Sequence, residues 1–239
     1  MNTALIFAGG TGQRMNSKTR PKQFLELHCK PIIIYTLEYF QEHKEIDAIA
    51  VVCISDWIPY LNDLLEHYQI TKVKWVVPGG QTGQQSIYNG LAAMEKDVPE
   101  DTVVLIHDGV RPLINSQIIS QNIDMVRRRG NAITTSPAIE TITFNNTDCA
   151  IGNILERNCC RIAKAPQSFL LKDILSAHRK AAADKYDSAI DSATLMKHYG
   201  HQLYWVDGPY ENIKITTPTD FYIFRAIQDA RENSQIFGI

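Results

Sequence analysis

The sequence predicts an α/β fold: a single doubly wound, mostly parallel sheet with helices on both faces and a protruding β-hairpin arm. Two observations carry that prediction. Short apolar runs alternate with helix-length segments over residues 1–136, joined by short connections. Three loops rich in glycine or charge follow Ala8, Val77 and Ile106. Each falls at the carboxyl end of a predicted strand, which is where open α/β sheets bind ligands.

The elements follow in order. Residues 4–8, Ala-Leu-Ile-Phe-Ala, have the length and apolar character of a buried strand. Residues 31–43 read as a helix with Pro31 at its first position, although the isoleucines would also suit a strand; the length and the Leu37/Phe40 spacing favour helix. Strand 48–54, helix 58–68, strand 73–77, helix 84–94, strand 102–106, helix 116–129 and strand 132–136 continue the alternation. From 140 to 165 the pattern changes: 141–144 and 150–155 flank the turn residues Asn145-Asn146-Thr147-Asp148, a predicted antiparallel hairpin. Such a ribbon buries no face alone and must lie on its own domain or on a second subunit. Helices at 170–183 and 188–199, a strand at 203–206 and an N-capped helix at 219–232 complete the chain. No repeat, low-complexity tract or linker interrupts it, so residues 1–239 read as one domain.

A formal net charge of −2 gives no global attraction to nucleic acid or to acidic membranes, so any cationic function is local. No apolar run approaches the roughly 18 residues of a membrane span. Met1-Asn2-Thr3 leads directly into a strand, with no signal peptide expected. Cys29, Cys53, Cys149, Cys159 and Cys160 are odd in number and contain no C-x-x-C pair, which favours reduced thiols and a cytoplasmic setting. The histidines form no H-E-x-x-H motif, and a protein-ligated transition metal is not expected.

The first loop, Gly9-Gly10-Thr11-Gly12, permits sharp turns and close backbone approach. Arg14, Lys18, Arg20 and Lys22 follow, with no acidic residue between 14 and 22. Inward amides followed by cations suit phosphate binding. A P-loop would need Gly-Lys-Ser/Thr where Gly12-Gln13-Arg14 stands, and a dinucleotide fingerprint would need glycine or alanine at Met15. In the second loop, Gly80 and Gln81 suit a wall that reads a base edge; Ser86 either joins that wall or caps the following helix. In the third, His107-Asp108-Gly109-Val110-Arg111-Pro112, Asp108 is presented for a magnesium ion or a ribose hydroxyl. Arg111 takes a substrate phosphate or pairs with Asp108, and His107 reads as structural. Late in the chain, Lys214 between Ile213 and Ile215 reads as a strand residue facing a cleft or an exposed edge.

These motifs, GG-x-G-x-R-M, Pro21-Lys22-Gln23-Phe24, GG…S, HDG-x-RP, the hairpin and Asn212-Ile213-Lys214-Ile215-Thr216, resemble those of the cytidylyltransferases acting on 2-C-methyl-D-erythritol 4-phosphate or ribitol 5-phosphate. The resemblance implies a Rossmann-like nucleotidyltransferase using CTP, magnesium and a polyol phosphate. It also implies a homodimer in which the arm, about residues 140–165, crosses to the partner's site. On this reading Arg14, Lys22 and Lys214 are catalytic. Ala8, Gly9, Gly10, Gly12, Gly80, Gln81, Ser86 and Asp108 hold CTP; Arg111, Thr141, Arg157, Asp191 and Lys214 hold the polyol phosphate. Asp108 is the one protein contact suggested for magnesium, which is otherwise carried by phosphates. Gly83 stands where the family often has arginine. The Gly9-Gly10 start, Lys30-Pro31-Ile32-Ile33-Ile34-Tyr35-Thr36 and the 211–221 segment look more like the ribitol-phosphate branch. The alternatives are the methylerythritol-phosphate enzyme of isoprenoid synthesis, an NAD-dependent oxidoreductase and a non-catalytic nucleotide-binding protein.

Overall fold

The computed structural model describes residues 1–10 and 20–237, with side chains through 234. After β1 (Asn2–Ala8), a small antiparallel ribbon, β2 (Glu26–Leu27) and β3 (Lys30–Pro31), leads into α1 (Ile32–Glu42). The alternation continues through β4 (Ala48–Cys53), α2 (Ile58–His67), β5 (Val73–Pro78), α3 (Gly83–Met94), β6 (Val103–Asp108), α4 (Ser116–Arg129) and β7 (Asn131–Pro137). The hairpin β8 (Thr143–Asn145) and β9 (Ile151–Ile154) follows, then β10 (Arg161–Leu170), α5 (Leu171–Asp184), α6 (Ser192–His198), β11 (Trp205–Asp207) and α7 (Pro218–Phe237). Pro31 precedes α1 at the capping position instead of occupying its first turn, and the predicted helix over 188–199 is confined to 192–198.

Seven strands form one sheet in the order β11-β7-β10-β6-β1-β4-β5. β1 pairs in parallel with both β4 and β6, so the chain first winds toward β5 and then returns to the other side of β1. β4 and β6 are buried along their whole length, as strands covered on both faces must be. Period-two alternation splits β1 between two cores. Ala4 and Ile6 pack under α1, α2 and α4 with Phe40, Leu61 and Ile119; Leu5 meets Leu91 and Met94 of α3 and Leu175 of α5. A third cluster joins Ile32 and Tyr35 of α1 to Val110, Leu113, Ile215 and Phe224, fixing α7 against the loop after β6.

Besides the short β2–β3 ribbon, the element absent from the sequence expectation is β10. It is antiparallel to β6 and β7 and lies between them, with a register shift between Ala163 and Gln167. Lys164, Pro166, Gln167 and Ser168 disguise it by interrupting the apolar pattern. The polar side chains are accommodated by partners. Ser168 donates to Asn122 Oδ1 at 2.9 Å, and Asn122 Nδ2 donates to Thr134 Oγ1 at 2.9 Å and to the Ile118 carbonyl, all buried. The hairpin stands apart, with Phe144, Ile151 and Ile154 about three-fifths exposed.

The Asn122 network ties α4 to β7 and β10, so Asn122→Ala leaves two buried hydroxyls without this partner. A loss of about 1–3 kcal/mol is expected in urea denaturation, and an unchanged midpoint would show that the network contributes nothing.

Candidate active site

Because β1, β4, β5 and β6 are parallel, their carboxyl ends share one edge of the sheet, with the switch in winding direction beside β1. The three loops singled out in the sequence therefore lie together. The Gly79 amide donates to the Cys53 carbonyl at 2.8 Å, and the Gly109 amide to the Phe7 carbonyl at 3.0 Å. Gln23 Nε2 donates to the Ala8 carbonyl at 2.6 Å, which returns the chain to the end of β1 next to Lys22. Gly12 and Arg14, with Lys18, lie outside the described residues.

The loop after β5 meets the loop after β1 at Ser86. A Cβ on either Gly9 or Gly79 would come 3.2 Å from Ser86 Oγ, so glycine permits this close approach. Ser86 Oγ accepts from the Gly80 amide at 3.0 Å and donates to the Thr82 carbonyl at 2.9 Å. Thr82, not Ser86, caps α3 by accepting from the Gln85 amide. The hydroxyl thus pins the loop main chain beside Gly9. Gln81 is exposed, its amide donating to Gln85 Oε1.

Asp108 ends β6 at 5% exposure, between two cations. Arg111 Nε donates to its Oδ2 at 2.8 Å, and Lys214 Nζ stands 2.5 Å from its Oδ1. Burial would raise the carboxyl's pKa, but the charges of Arg111 and Lys214 outweigh it and hold it down at about 2. Arg111 Nη1 also donates to the Asn212 carbonyl at 2.9 Å, and the Ile215 amide donates to the Val110 carbonyl. The segment carrying Lys214 is therefore stapled onto the β6 loop. It is an irregular connection and not a strand; the Ile213 amide turns back to the Glu211 carbonyl. Lys214 Nζ lies 5.5 Å from the centre of the Phe7 ring. His107 is structural as read: fully buried, bonded through Nε2 to the Arg111 carbonyl and driven by burial to a pKa of about 4.

A cleft of about 350 Å³ opens over this group, lined by Phe7, Asp108, Arg111 and Lys214 and also by Gln84 and Asp191. Asp191 is in the wall through its cap role: its Oδ1 accepts from the Thr194 amide and its Oδ2 from Gln167 Nε2, each at 2.8 Å. A Cβ on Gly83 would meet nothing within 4 Å, so the missing arginine leaves open space at the rim. Thr141 and Arg157 lie in exposed positions on the arm and do not line this chain's cleft, the Arg157 guanidinium donating to the Ile139 carbonyl. Arg20 is paired with Glu26 at 2.5 Å. Lys164 and Gln167, on the unforeseen strand, also line the cleft and were not singled out in the sequence. The only signal for them was polar residues flanking a proline.

The cleft thus gathers three cations, Arg111, Lys164 and Lys214, and two carboxylates, Asp108 and Asp191, at the switch point of the sheet. The family profile described as 2-C-methyl-D-erythritol 4-phosphate cytidylyltransferase (IspD) matches residues 2–229. The chain belongs to this family. It is accordingly a nucleotidyltransferase, with the Rossmann-like fold of its structural neighbours. A ribitol-5-phosphate cytidylyltransferase of Vibrio parahaemolyticus is 56% identical over 238 residues, covering 100% of both chains. A 2-C-methyl-D-erythritol 4-phosphate cytidylyltransferase of Clostridium botulinum is 39% identical over 93% of this chain and 95% of its own length. Among solved structures, the 4-diphosphocytidyl-2C-methyl-D-erythritol synthase of Anaerococcus prevotii superposes with a TM-score of 0.82 at 27% identity, over 95% of each chain.

The Asp108 carboxyl binds its proton less tightly in the folded protein than in the unfolded chain. Its stabilising contribution is complete above pH of about 4 and is lost as pH falls toward about 2. Asp108→Asn is expected to lower stability at neutral pH by on the order of 2 kcal/mol and to remove this acid-dependent component. Parallel denaturation curves for both proteins from pH 7 to 3 would contradict the ion-pair account.

Proposed function

We propose that the protein transfers CMP from CTP to ribitol 5-phosphate, giving CDP-ribitol and pyrophosphate. The observation that carries this reading is the convergence of Arg111 and Lys214, from segments far apart in sequence, on Asp108 at the strand ends. An acceptor phosphate oxygen attacks the α-phosphorus of CTP as the bond to the bridging α–β oxygen breaks, and pyrophosphate departs with that electron pair. Such a reaction asks for alignment and charge stabilisation, with no protein nucleophile. Arg14 and Lys22, with the amides of Ala8, Gly9, Gly10 and Gly12, act on the triphosphate; Gly80, Gln81 and Ser86 form the base wall. Lys214 and Arg111 hold the acceptor beside the reacting phosphorus, with Asp191 in the pocket wall. Identity of 56% to a ribitol-phosphate enzyme against 39% to a methylerythritol-phosphate enzyme supports the acceptor.

Asp108 does not fit as a magnesium ligand, because both of its oxygens are engaged by cations. No group of three or more His, Cys, Asp or Glu side chains suited to a metal occurs among the described residues. A divalent ion is assigned instead to the triphosphate it accompanies.

The protein is proposed to be one catalytic domain that pairs through the arm at about 140–165. Ile139, Phe144, Ile151 and Ile154 are each about 60% exposed there, apolar surface that a second subunit would cover. Thr141 and Arg157 of each arm would then serve the partner's cleft. The five free cysteines fit work in a reducing setting such as the cytoplasm.

Pyrophosphate release with CTP, magnesium and ribitol 5-phosphate is expected to exceed release with 2-C-methyl-D-erythritol 4-phosphate. Lys22→Ala or Lys214→Ala should abolish it with the fold intact; normal turnover in either variant refutes that residue's role. Mixing Arg157→Ala and Lys22→Ala subunits, each inactive alone, should restore part of the activity. Verified heterodimers without activity would rule out a shared site.

A further inference from the structure

The charges lining the cleft do not yet explain why it would accept a further anion. Arg111 and Lys214 are both committed to Asp108, and Asp191 adds a second carboxylate. Those four groups sum to zero. Among the described residues, the remaining charged one in the lining is Lys164, on β10 between Ala163 and Ala165. Among the described residues that line the cleft, its charge is the one not balanced by a carboxylate in the lining.

Its environment differs from that of the other two cations. Lys164 is 9% exposed, and its Nζ donates to the Pro209 carbonyl at 3.1 Å and the Tyr210 carbonyl at 2.9 Å. Both partners are neutral, and among the described residues it forms no ion pair with a carboxylate. An ammonium has three donors, so one remains for the cleft that the residue lines. Burying a charge without a counter-charge is costly, and the cost falls when an anion arrives. The amine is also held in place: Asn212 Nδ2 donates to the Ala165 carbonyl at 2.7 Å, tying β10 to the segment that carries Lys214.

We propose that Lys164 is a binding residue for the phosphomonoester of the acceptor, supplying the excess positive charge that the Asp108 cluster lacks. The inference rests on the polyol-phosphate reading above. Burial, and then the charge of Arg111, push the Lys164 pKa down to about 8, against which Glu211 acts in the opposite direction. The other groups around it are Asp108, Asp191 and Lys214, which line the same cleft, and the Tyr210 ring at 5.7 Å. An amine of this kind loses its proton in the mildly alkaline range, so acceptor binding weakens as pH rises through about 8. Arginine at the same position stays charged.

The test measures KM for ribitol 5-phosphate and for CTP, by pyrophosphate release, in the wild type, Lys164→Gln and Lys164→Arg between pH 7 and 9.5. Lys164→Gln is expected to raise the acceptor KM about tenfold or more, the scale of a hydrogen bond to a charged group, with the CTP KM within about twofold. The wild-type acceptor KM should climb above pH 8, whereas that of Lys164→Arg should stay flat. A role confined to bracing the 209–210 turn would lower thermal stability or kcat without changing that pH profile. Should Lys164→Gln fail to fold, the arginine profile decides. Overturning results are an unchanged acceptor KM in Lys164→Gln, an equal rise in both KM values, or parallel pH profiles. Wild-type turnover separates the two readings: if it is present and these results appear, only the role of Lys164 falls; if it is absent with either polyol phosphate, the functional reading falls and takes this one with it.

Discussion

The buried carboxylate of Asp108, gripped by Arg111 and Lys214, is the interaction on which the cleft depends. Asp108 is fixed by the end of β6, and it in turn fixes two long side chains that would otherwise sample many rotamers. Arg111 reaches on to the Asn212 carbonyl, so one ion-pair cluster joins the middle of the chain to its last hundred residues' final loop. A cluster of this kind contributes geometry more than net stability, because desolvation offsets much of the attraction. Removing one member leaves charge buried without its partner.

The sheet topology supplies the rest of the placement. Phe7 and Asp108 are neighbours in register across β1 and β6, so the floor of the cleft and its carboxylate come from adjacent strands. The third apolar cluster, centred on Ile215 and Phe224, presses α7 and the Lys214 segment onto the loop at Val110 and Leu113. Packing at some distance from the cleft thereby sets where an ammonium sits within it. Ser86 orders the neighbouring loop with one hydroxyl, holding Gly80 beside the close-approaching Gly9.

Much of this was legible in the sequence because periodicity reports burial. The parallel strands β1, β5 and β6 are largely apolar runs with glycine or proline at or just after their ends, and the loops that follow them carry most of the candidate site residues. Asp108, Arg111 and Lys214 could be named from motif position; their mutual pairing could not, since it needs the fold to bring residues 108 and 214 together. β10 was invisible for a physical reason. Its buried positions include Lys164, Gln167 and Ser168, and the first and last of these are bonded to distant partners, the Pro209–Tyr210 carbonyls and Asn122. Local pattern cannot register a polar residue satisfied from another part of the chain. Asp191 was placed in the pocket by analogy, and its bonds to Thr194 and Gln167 are what put it there.

The insertion of β10 between β6 and β7 also bears on how the chain is assembled as it emerges from a ribosome. β7 reaches the body of the sheet only through β10, a strand made later, so β7 has no ladder on that side until residue 170 has been synthesised. Over the same interval the apolar β6 is an uncovered edge. A chain in which the preceding strands had paired before β10 was made would expose a strand edge that a second chain could join, the kind of state in which aggregation competes with folding.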